Sequence, residues 1–269
     1  MNNLNTIERQ QEIVRLTQQQ GKVSVTELAN RFGVSEVTIR SDLAVLDQKQ
    51  LLVRSRGGAM VNSDLIRELS LKEKGHCYSA LKQELGKVAA SLVNDGDRLL
   101  LDSGTTTQQV AANLLEHQDL IVMTNGLNIA TELARSDDVE VMITGGLLRK
   151  KSMSFYGSIA EKSLRDYNFN KLILGVDGFD LKTGLTTHFE KEASLNRMMC
   201  EIASEIIVVT DSSKFDQQAF HVICASRQIQ QLVTDSGIPE RYVEELTKQG
   251  VQLHLIDKIN NKGRSYVWF

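Results

Sequence analysis

Over the first sixty residues apolar positions recur at helical spacing, whereas from residue 98 they gather into short runs separated by glycine turns and helical stretches. The spacing predicts a first helix from Ile7 to Gln20, with Ile7, Ile13, Val14 and Leu16 on its apolar face and Gly21 as its stop. Ser24 and Glu27 stand at capping-box spacing before Val25, Leu28, Ala29 and Phe32, which form a full stripe at i, i+3, i+4 and i+7. Gly33 ends that second helix. Ser35 can cap a third, whose buried face is Ile39, Leu43 and Leu46. Leu51 to Met60 then alternates around Gly57-Gly58, as a short hairpin does.

Residues 61–77 are of mixed polarity without a period and are expected to link residues 1–60 to a second domain over 78–257. Leu85, Val88, Ala89 and Leu92 restore a helical stripe. Seven Leu/Ile/Val-rich runs follow: Arg98 to Leu101, Leu120 to Met123, Val139 to Ile143, Lys171 to Leu174, Ile206 to Thr210, Gln231 to Thr234 and Val251 to Ile256. Alternation of such runs with helical stretches predicts an α/β domain with a mainly parallel sheet covered on both faces. Residues 258–269 form a tail to which the pattern assigns no role.

Composition narrows the classes of function. The 269 residues, 41% apolar and 24% charged, suffice for one small and one large folded domain. No apolar run approaches a membrane span, and the first residues have neither the basic start nor the apolar stretch of a signal peptide, so a cytoplasmic protein without membrane contact is expected. Cys77, Cys200 and Cys224 lie far apart with no metal-ligand spacing, which predicts reduced structural thiols, no metal and no cofactor. Net charge is −3, unevenly spread: residues 1–60 carry eight basic and six acidic side chains, the remainder twenty-three basic and twenty-eight acidic.

Two helices joined by a short glycine-containing turn, followed by a Gly-Gly hairpin, have the layout of a winged helix-turn-helix. With Ile39, Leu43 and Leu46 inward, Glu36, Val37, Arg40 and Ser41 must point outward near the start of the third helix, where such helices meet base edges. Ser35 caps that helix, and Thr38 at its margin can bond a phosphate. Arg54 and Arg56 flank the wing turn, within reach of the adjacent backbone. Asp42 would repel DNA and is expected to partner a nearby arginine instead. The string Ser35-Glu-Val-Thr38-Ile39-Arg40-Ser-Asp42-Leu43, followed by Leu51-x-Val53-Arg54-x-x-Gly57-Gly58-Ala59, resembles the DeoR family of bacterial transcription regulators. Ser41 departs from that family, which often has a basic residue there.

In the body, Leu101 to Thr107 reads LDSGTTT: Asp102, Ser103, Gly104, Thr105 and Thr106 after a strand, then a helix expected from Gln108 to Leu115. Backbone N–H groups, hydroxyls and a helix dipole aimed at one point make an anion site. Thr124-Asn125-Gly126, Thr144-Gly145-Gly146 and Gly175-Val176-Asp177-Gly178 follow the next strands, and in an open parallel sheet such turns converge at the carboxyl ends. Each alone is an ordinary tight turn; together they favour a phosphorylated small ligand. A second polar set comprises Thr186-Thr187-His188-Phe189-Glu190-x-Glu192 and Asp211-Ser212-Ser213-Lys214, with Lys214 as a compact cation for phosphate or carboxylate and His188 read as a surface histidine.

These body strings also resemble the DeoR family, over residues 5–257. The resemblance implies a Rossmann-like sensor domain similar to the ribose-5-phosphate isomerase and glucosamine-6-phosphate deaminase fold. Ser154-Phe155-Tyr156-Gly157, Leu174-Gly-Val-Asp177, Leu195-Asn-Arg197-x-Met-Cys200 and Val209-Thr-Asp211-Ser-Ser-Lys214-Phe look most like the branch that represses amino-sugar catabolism. It implies operator DNA as one partner and a phosphorylated sugar as effector, a hexosamine phosphate or a ketohexose phosphate such as tagatose phosphate. A homo-oligomer, dimer or tetramer, on repeated half-sites is expected. The competing class is an isomerase or deaminase with an accessory head, whose proton transfer would fall to Asp102, Asp177, Glu190, Glu192, Asp211 and Lys214. A dinucleotide-binding domain is disfavoured, since no G-x-G-x-x-G follows the first body strand.

Overall fold

A computed structural model describes residues 6–48, 51–55, 57–60 and 69–257, and the chain divides into two compact units, residues 1–68 and 69–269. In the first unit, α1 (Thr6–Gln20), β1 (Lys22–Ser24), α2 (Val25–Phe32), α3 (Glu36–Gln48), β2 (Val53–Ser55) and β3 (Gly58–Met60) build a winged helix-turn-helix. Both predicted caps form. The Ser24 hydroxyl accepts from the Glu27 N–H while the Glu27 carboxylate accepts from the Ser24 N–H, and Ser35 Oγ accepts from the Thr38 N–H at 3.1 Å. Ile13, Leu16, Leu28, Ile39, Leu43 and Leu46 close the core, as the stripes require. The pattern does not reveal β1, three residues too short to show alternation, which pairs with β3 and widens the hairpin to a sheet ordered β1-β3-β2.

The second unit opens with α4 (Leu71–His76), capped by a box between Ser70 and Glu73. The end of the expected 61–77 linker is therefore ordered helix belonging to the body, while 61–68 lie outside the described residues, as do Arg56 and the 258–269 tail. Next come α5 (Ser79–Ala90), β4 (Arg98–Leu101), α6 (Thr105–Ala112), β5 (Leu120–Thr124), α7 (Leu127–Leu133), β6 (Val139–Ile143), β7 (Leu147–Arg149), β8 (Ser154–Tyr156) and α8 (Ser158–Leu164). The chain continues through β9 (Phe169–Leu174), β10 (Gly178–Asp180), β11 (Gly184–Thr187), α9 (Glu190–Ile202), β12 (Ala203–Val209), β13 (His221–Cys224), β14 (Gln231–Asp235), α10 (Glu240–Lys248) and β15 (Gln252–Ile256).

The seven predicted runs become the seven strands of one parallel sheet, ordered β15-β14-β12-β9-β4-β5-β6. Alternate residues feed opposite faces. Leu99, Leu101, Val122, Ile173, Ile207 and Val209 pack with α5, α6 and α7, whereas Leu100, Leu172, Leu174, Ile206 and Val208 pack with α8, α9 and α10. Burial on both sides is why these strands read as continuous apolar runs. The pattern does not reveal the β7–β8 hairpin or the antiparallel sheet β10-β11-β13, built from strands of three or four residues. The strand order also fixes where a site can form: from β4 the chain runs outward through β5 and β6, and later returns to the other side through β9 and β12. That reversal opens a crevice beyond the carboxyl ends of β4 and β9.

Candidate functional site

The outward face of α3 bears the side chains expected there. Ser35, Val37, Arg40 and Ser41 are exposed, Thr38 is half-buried, and Arg54 is exposed on the wing. Val37 is 75% exposed, although it is apolar. Glu36 is not free to meet a ligand: it accepts from Arg40 Nη2 at 2.8 Å and from Thr26 Oγ1 at 2.8 Å, and these bonds, Arg40 first, hold its carboxyl below the usual range. Asp42 is the structural partner it was expected to be. Its carboxylate receives Arg9 Nε at 2.6 Å and Gln10 Nε2 at 2.9 Å, tying α3 to α1 inside the head.

In the body, β4 ends at Leu101, and the Asp102 N–H still bonds the Ile173 carbonyl at 3.0 Å, so Asp102 stands in the crevice between β4 and β9. Asn125, at the end of β5, clamps it: Nδ2 donates to Asp102 Oδ1 at 3.1 Å, and Oδ1 accepts from the Ser103 N–H at 2.8 Å. Gly126 lies so close to this turn that an added Cβ would stand 3.1 Å from the Ser103 Cα. Helix α6 begins at Thr105 rather than at Gln108 as expected, because Gly104 adopts φ 152°, a conformation that favours glycine, and its carbonyl already accepts from the Gln108 N–H. Thr105 and Thr106 therefore form the first helical turn, where N–H groups have no partner within the helix. The Thr107 hydroxyl in the same turn is buried without a hydrogen bond.

Opposite charges surround this turn. Asp177, after β9, receives Lys74 Nζ at 2.6 Å and the Thr187 hydroxyl at 3.0 Å. Burial raises its pKa, but the charges of Lys74, Lys214 and His188 outweigh that and hold it well below the usual carboxylate range. His188 thus faces the cluster, contrary to its reading as a plain surface residue. Glu192, on α9, is buried and accepts from Ser152 Oγ at 2.6 Å and Ser154 Oγ at 2.5 Å, with Arg149 Nη1 at 3.5 Å. Among the described residues, Asp102 has no cation of its own. Burial, together with the charges of Glu192 and Asp177, pushes its pKa up to about 8 despite the bonds from Asn125 and the Ser103 N–H, so it is largely protonated at neutral pH. Lys82, only 6% exposed, donates to the Lys74 carbonyl at 2.7 Å, and burial lowers its pKa against the pull of Asp211.

A cleft of about 580 Å³ lies beside this cluster, lined by Lys72, Gly75, Lys82, Thr105, Gln108, Lys150 and Lys151 among others. The structure thus gathers Asp102, Ser103, Gly104, Thr105, Thr106, Asn125, Gly126, Asp177, Glu192 and Lys214 around the end of β4. Gly145 and Gly146 follow β6: both take positive φ, and a Cβ on Gly146 would stand 2.6 Å from the Tyr156 carbonyl oxygen, whereas one on Gly145 would meet only Ile159 at 3.9 Å. Sequence reasoning missed Lys74, Lys82, Arg149 and Ser152. Lys74 and Lys82 sit on α4 and α5, and no local motif marks them. Among the described residues no cluster of His, Cys, Asp and Glu could hold a metal ion, and no helix is long and apolar enough to cross a membrane.

Comparison with known proteins places both units. Residues 9–64 match the DeoR-like helix-turn-helix domain, and residues 78–236 match the DeoR C terminal sensor domain. The chain is 46% identical over 253 residues to a protein of Escherichia coli O157:H7 named as an aga operon transcriptional repressor, covering 93% of this chain and 94% of that one. It is 30% identical over 255 residues to the transcriptional repressor GlcR of Bacillus subtilis, covering 95% and 98%. It is also 30% identical over 248 residues to the glycerol-3-phosphate regulon repressor of Escherichia coli K12, covering 92% and 98%. Among solved structures, ribose 5-phosphate isomerase A from Methanocaldococcus jannaschii aligns over 51% of this chain and 55% of its own at 17% identity and a TM-score of 0.39. The sorbitol operon regulator SorC from Klebsiella pneumoniae aligns over 91% and 100% at 15% identity and a TM-score of 0.40.

Proposed function

The chain belongs to the DeoR family of transcriptional regulators, and from that premise we propose that it represses a sugar catabolic operon and leaves its operator when a phosphorylated sugar binds the body. One observation carries the effector reading: the reversal of strand order at β4 sets the uncommitted N–H groups of Thr105 and Thr106 beside Lys82, Lys74 and Lys214, around a crevice also lined by carboxyls. The phosphate belongs at the start of α6, where helix dipole, hydroxyls and lysines all favour an anion. Asp102, Asp177, Glu192 and Asn125 are left to bond the sugar hydroxyls or an amine. The similarity to a relative named for the aga operon, together with the strings at Ser154 and Leu195, supports an amino-sugar pathway. The effector is then a hexosamine phosphate or the tagatose phosphate of the same route. Operator contact falls to Ser35, Val37, Thr38, Arg40, Ser41 and the wing arginines, doubled in a symmetric dimer or tetramer.

The experiment is a titration of the protein, bound to duplexes selected on it from a random pool, with galactosamine 6-phosphate, tagatose 6-phosphate and unphosphorylated galactosamine. Release at far lower concentration by a phosphorylated sugar is expected, since charge-assisted bonds contribute roughly 1.5 to 3 kcal/mol each. Superimposable curves for galactosamine and its 6-phosphate would remove the phosphate cradle from the reading.

A further inference from the structure

The start of α3 holds one side chain whose placement neither folding nor helix formation explains. Val37 is β-branched, a weaker helix former than most alternatives, and sits 75% exposed one residue into the helix, while the core-facing positions of α3 are Ile39, Leu43 and Leu46. Its polar neighbours are already bonded to one another. Ser35 Oγ accepts from the Thr38 N–H and meets Thr38 Oγ1 at 2.9 Å, and Glu36 is held by Thr26 and Arg40. An apolar tip therefore projects from bonded polar neighbours at the N-terminal end of α3, the helix proposed to meet the operator.

The major groove offers one apolar feature that differs between base pairs, the C5-methyl group of thymine. We infer that Val37 reads a thymine methyl in each operator half-site, and that the Glu36–Arg40–Thr26 cluster keeps the neighbouring carboxylate from accepting from a cytosine in its place. This rests on the reading of α3 as the recognition helix. It adds to that reading a base, an atom and a residue that select it. It also gives Glu36 a role: holding Arg40 near the groove mouth until a phosphate replaces the carboxylate.

The test uses the full-length chain and duplexes recovered on it from a random pool. Each thymine in turn is replaced by deoxyuridine, which removes only the methyl group, and Kd is measured at one fixed salt concentration for the wild type and for Val37→Ala. One thymine per half-site is expected to respond, with about four-fold weaker binding for the wild type, the fold-change equivalent to about 0.8 kcal/mol for one methyl group no longer buried. For Val37→Ala the same replacement should change Kd by less than about two-fold, and circular dichroism should show the variant folded, because the side chain touches no core. The inference fails if no thymine responds, or if the responding thymine is equally sensitive in Val37→Ala. It fails also if Val37→Ala weakens every duplex alike whatever the base, since Val37 would then touch sugar or backbone common to all sequences. A pool that yields no enriched sequence would overturn the reading of the head itself.

Discussion

Replacing Asp102 by asparagine tests the electrostatics of the crevice. In the native body Asp102 holds its proton up to about pH 8, while in the unfolded chain it loses it near 3.8. Between those values the folded state binds one more proton than the unfolded state, so stability must fall as pH rises. The full contribution is present below about pH 4 and is lost on passing through about pH 8. Each pH unit in that window changes the balance by about 1.4 kcal/mol. The Asp102→Asn side chain keeps an acceptor for Asn125 Nδ2 and carries no charge at any pH. The variant and the wild type should therefore be of similar stability near pH 4, and the variant's lead should be about 4 kcal/mol larger at pH 8 than at pH 5. Urea unfolding followed by circular dichroism at pH 5, 6, 7 and 8 measures this, with the difference between the two proteins removing the contribution of every other group. A difference that stays constant across the four pH values would refute the reasoning, since Asp102 would then be ionised like an ordinary aspartate.

Other perturbations separate the two units and the two ligands. Asp42→Ala leaves Arg9 buried without its partner and should cost the head about 3 to 5 kcal/mol, read as loss of operator binding while the thermal transition of the body is unchanged. Gly86→Ala sets a Cβ 2.6 Å from the Gln109 backbone where α5 crosses α6, and should destabilise the body by about 1 to 3 kcal/mol in urea unfolding. Arg40→Ala should lower the salt slope of operator binding by about one charge and weaken all duplexes alike; an unchanged slope with altered sequence preference would assign it to a base. Lys214→Met and Thr105→Val should fold and bind operator but no longer release it on addition of the sugar phosphate, and release at the wild-type concentration would place the altered residue outside the sensor site.

Legibility followed burial. The seven strands of the large sheet could be found because both faces are covered, so Leu99 to Leu101 or Ile206 to Val209 read as unbroken apolar runs. Strands of three or four residues such as β1, β7 and β10 carry no such signal, because two alternations cannot be told from a loop. The same limit applies to the site. Asp102 to Thr106 is contiguous and follows a strand, so a local string singles it out, whereas Lys74 gains meaning only from Asp177, 103 residues away. A glycine pair after a strand is ambiguous for the converse reason: it marks close backbone approach without saying to what, and Gly146 owes its glycine to β8 and α8 whether or not a ligand is also near.

On the proposed reading an acidic chain takes two anionic ligands and must keep its cations placed without them, and both units rest a cation on a carboxylate of their own. The consequences differ with burial. Arg40 and Glu36 form an exposed pair that solvent screens, so exchanging Glu36 for a DNA phosphate costs little and the contact stays sensitive to salt. Lys74 and Asp177 are mostly shielded from solvent, and drawing Lys74 away would strand a carboxylate where desolvation is severe. The charges of Lys214 and His188 bear on Asp177 as well, so either can remain as its counterion while another cation turns to the ligand. A single lysine brings one positive charge to set against both Asp177 and a phosphate. On the proposed reading, that is why the body needs more cations than one phosphate would require, and why Lys214→Met should blunt the response to the effector even if phosphate itself touches only Lys82 and the start of α6.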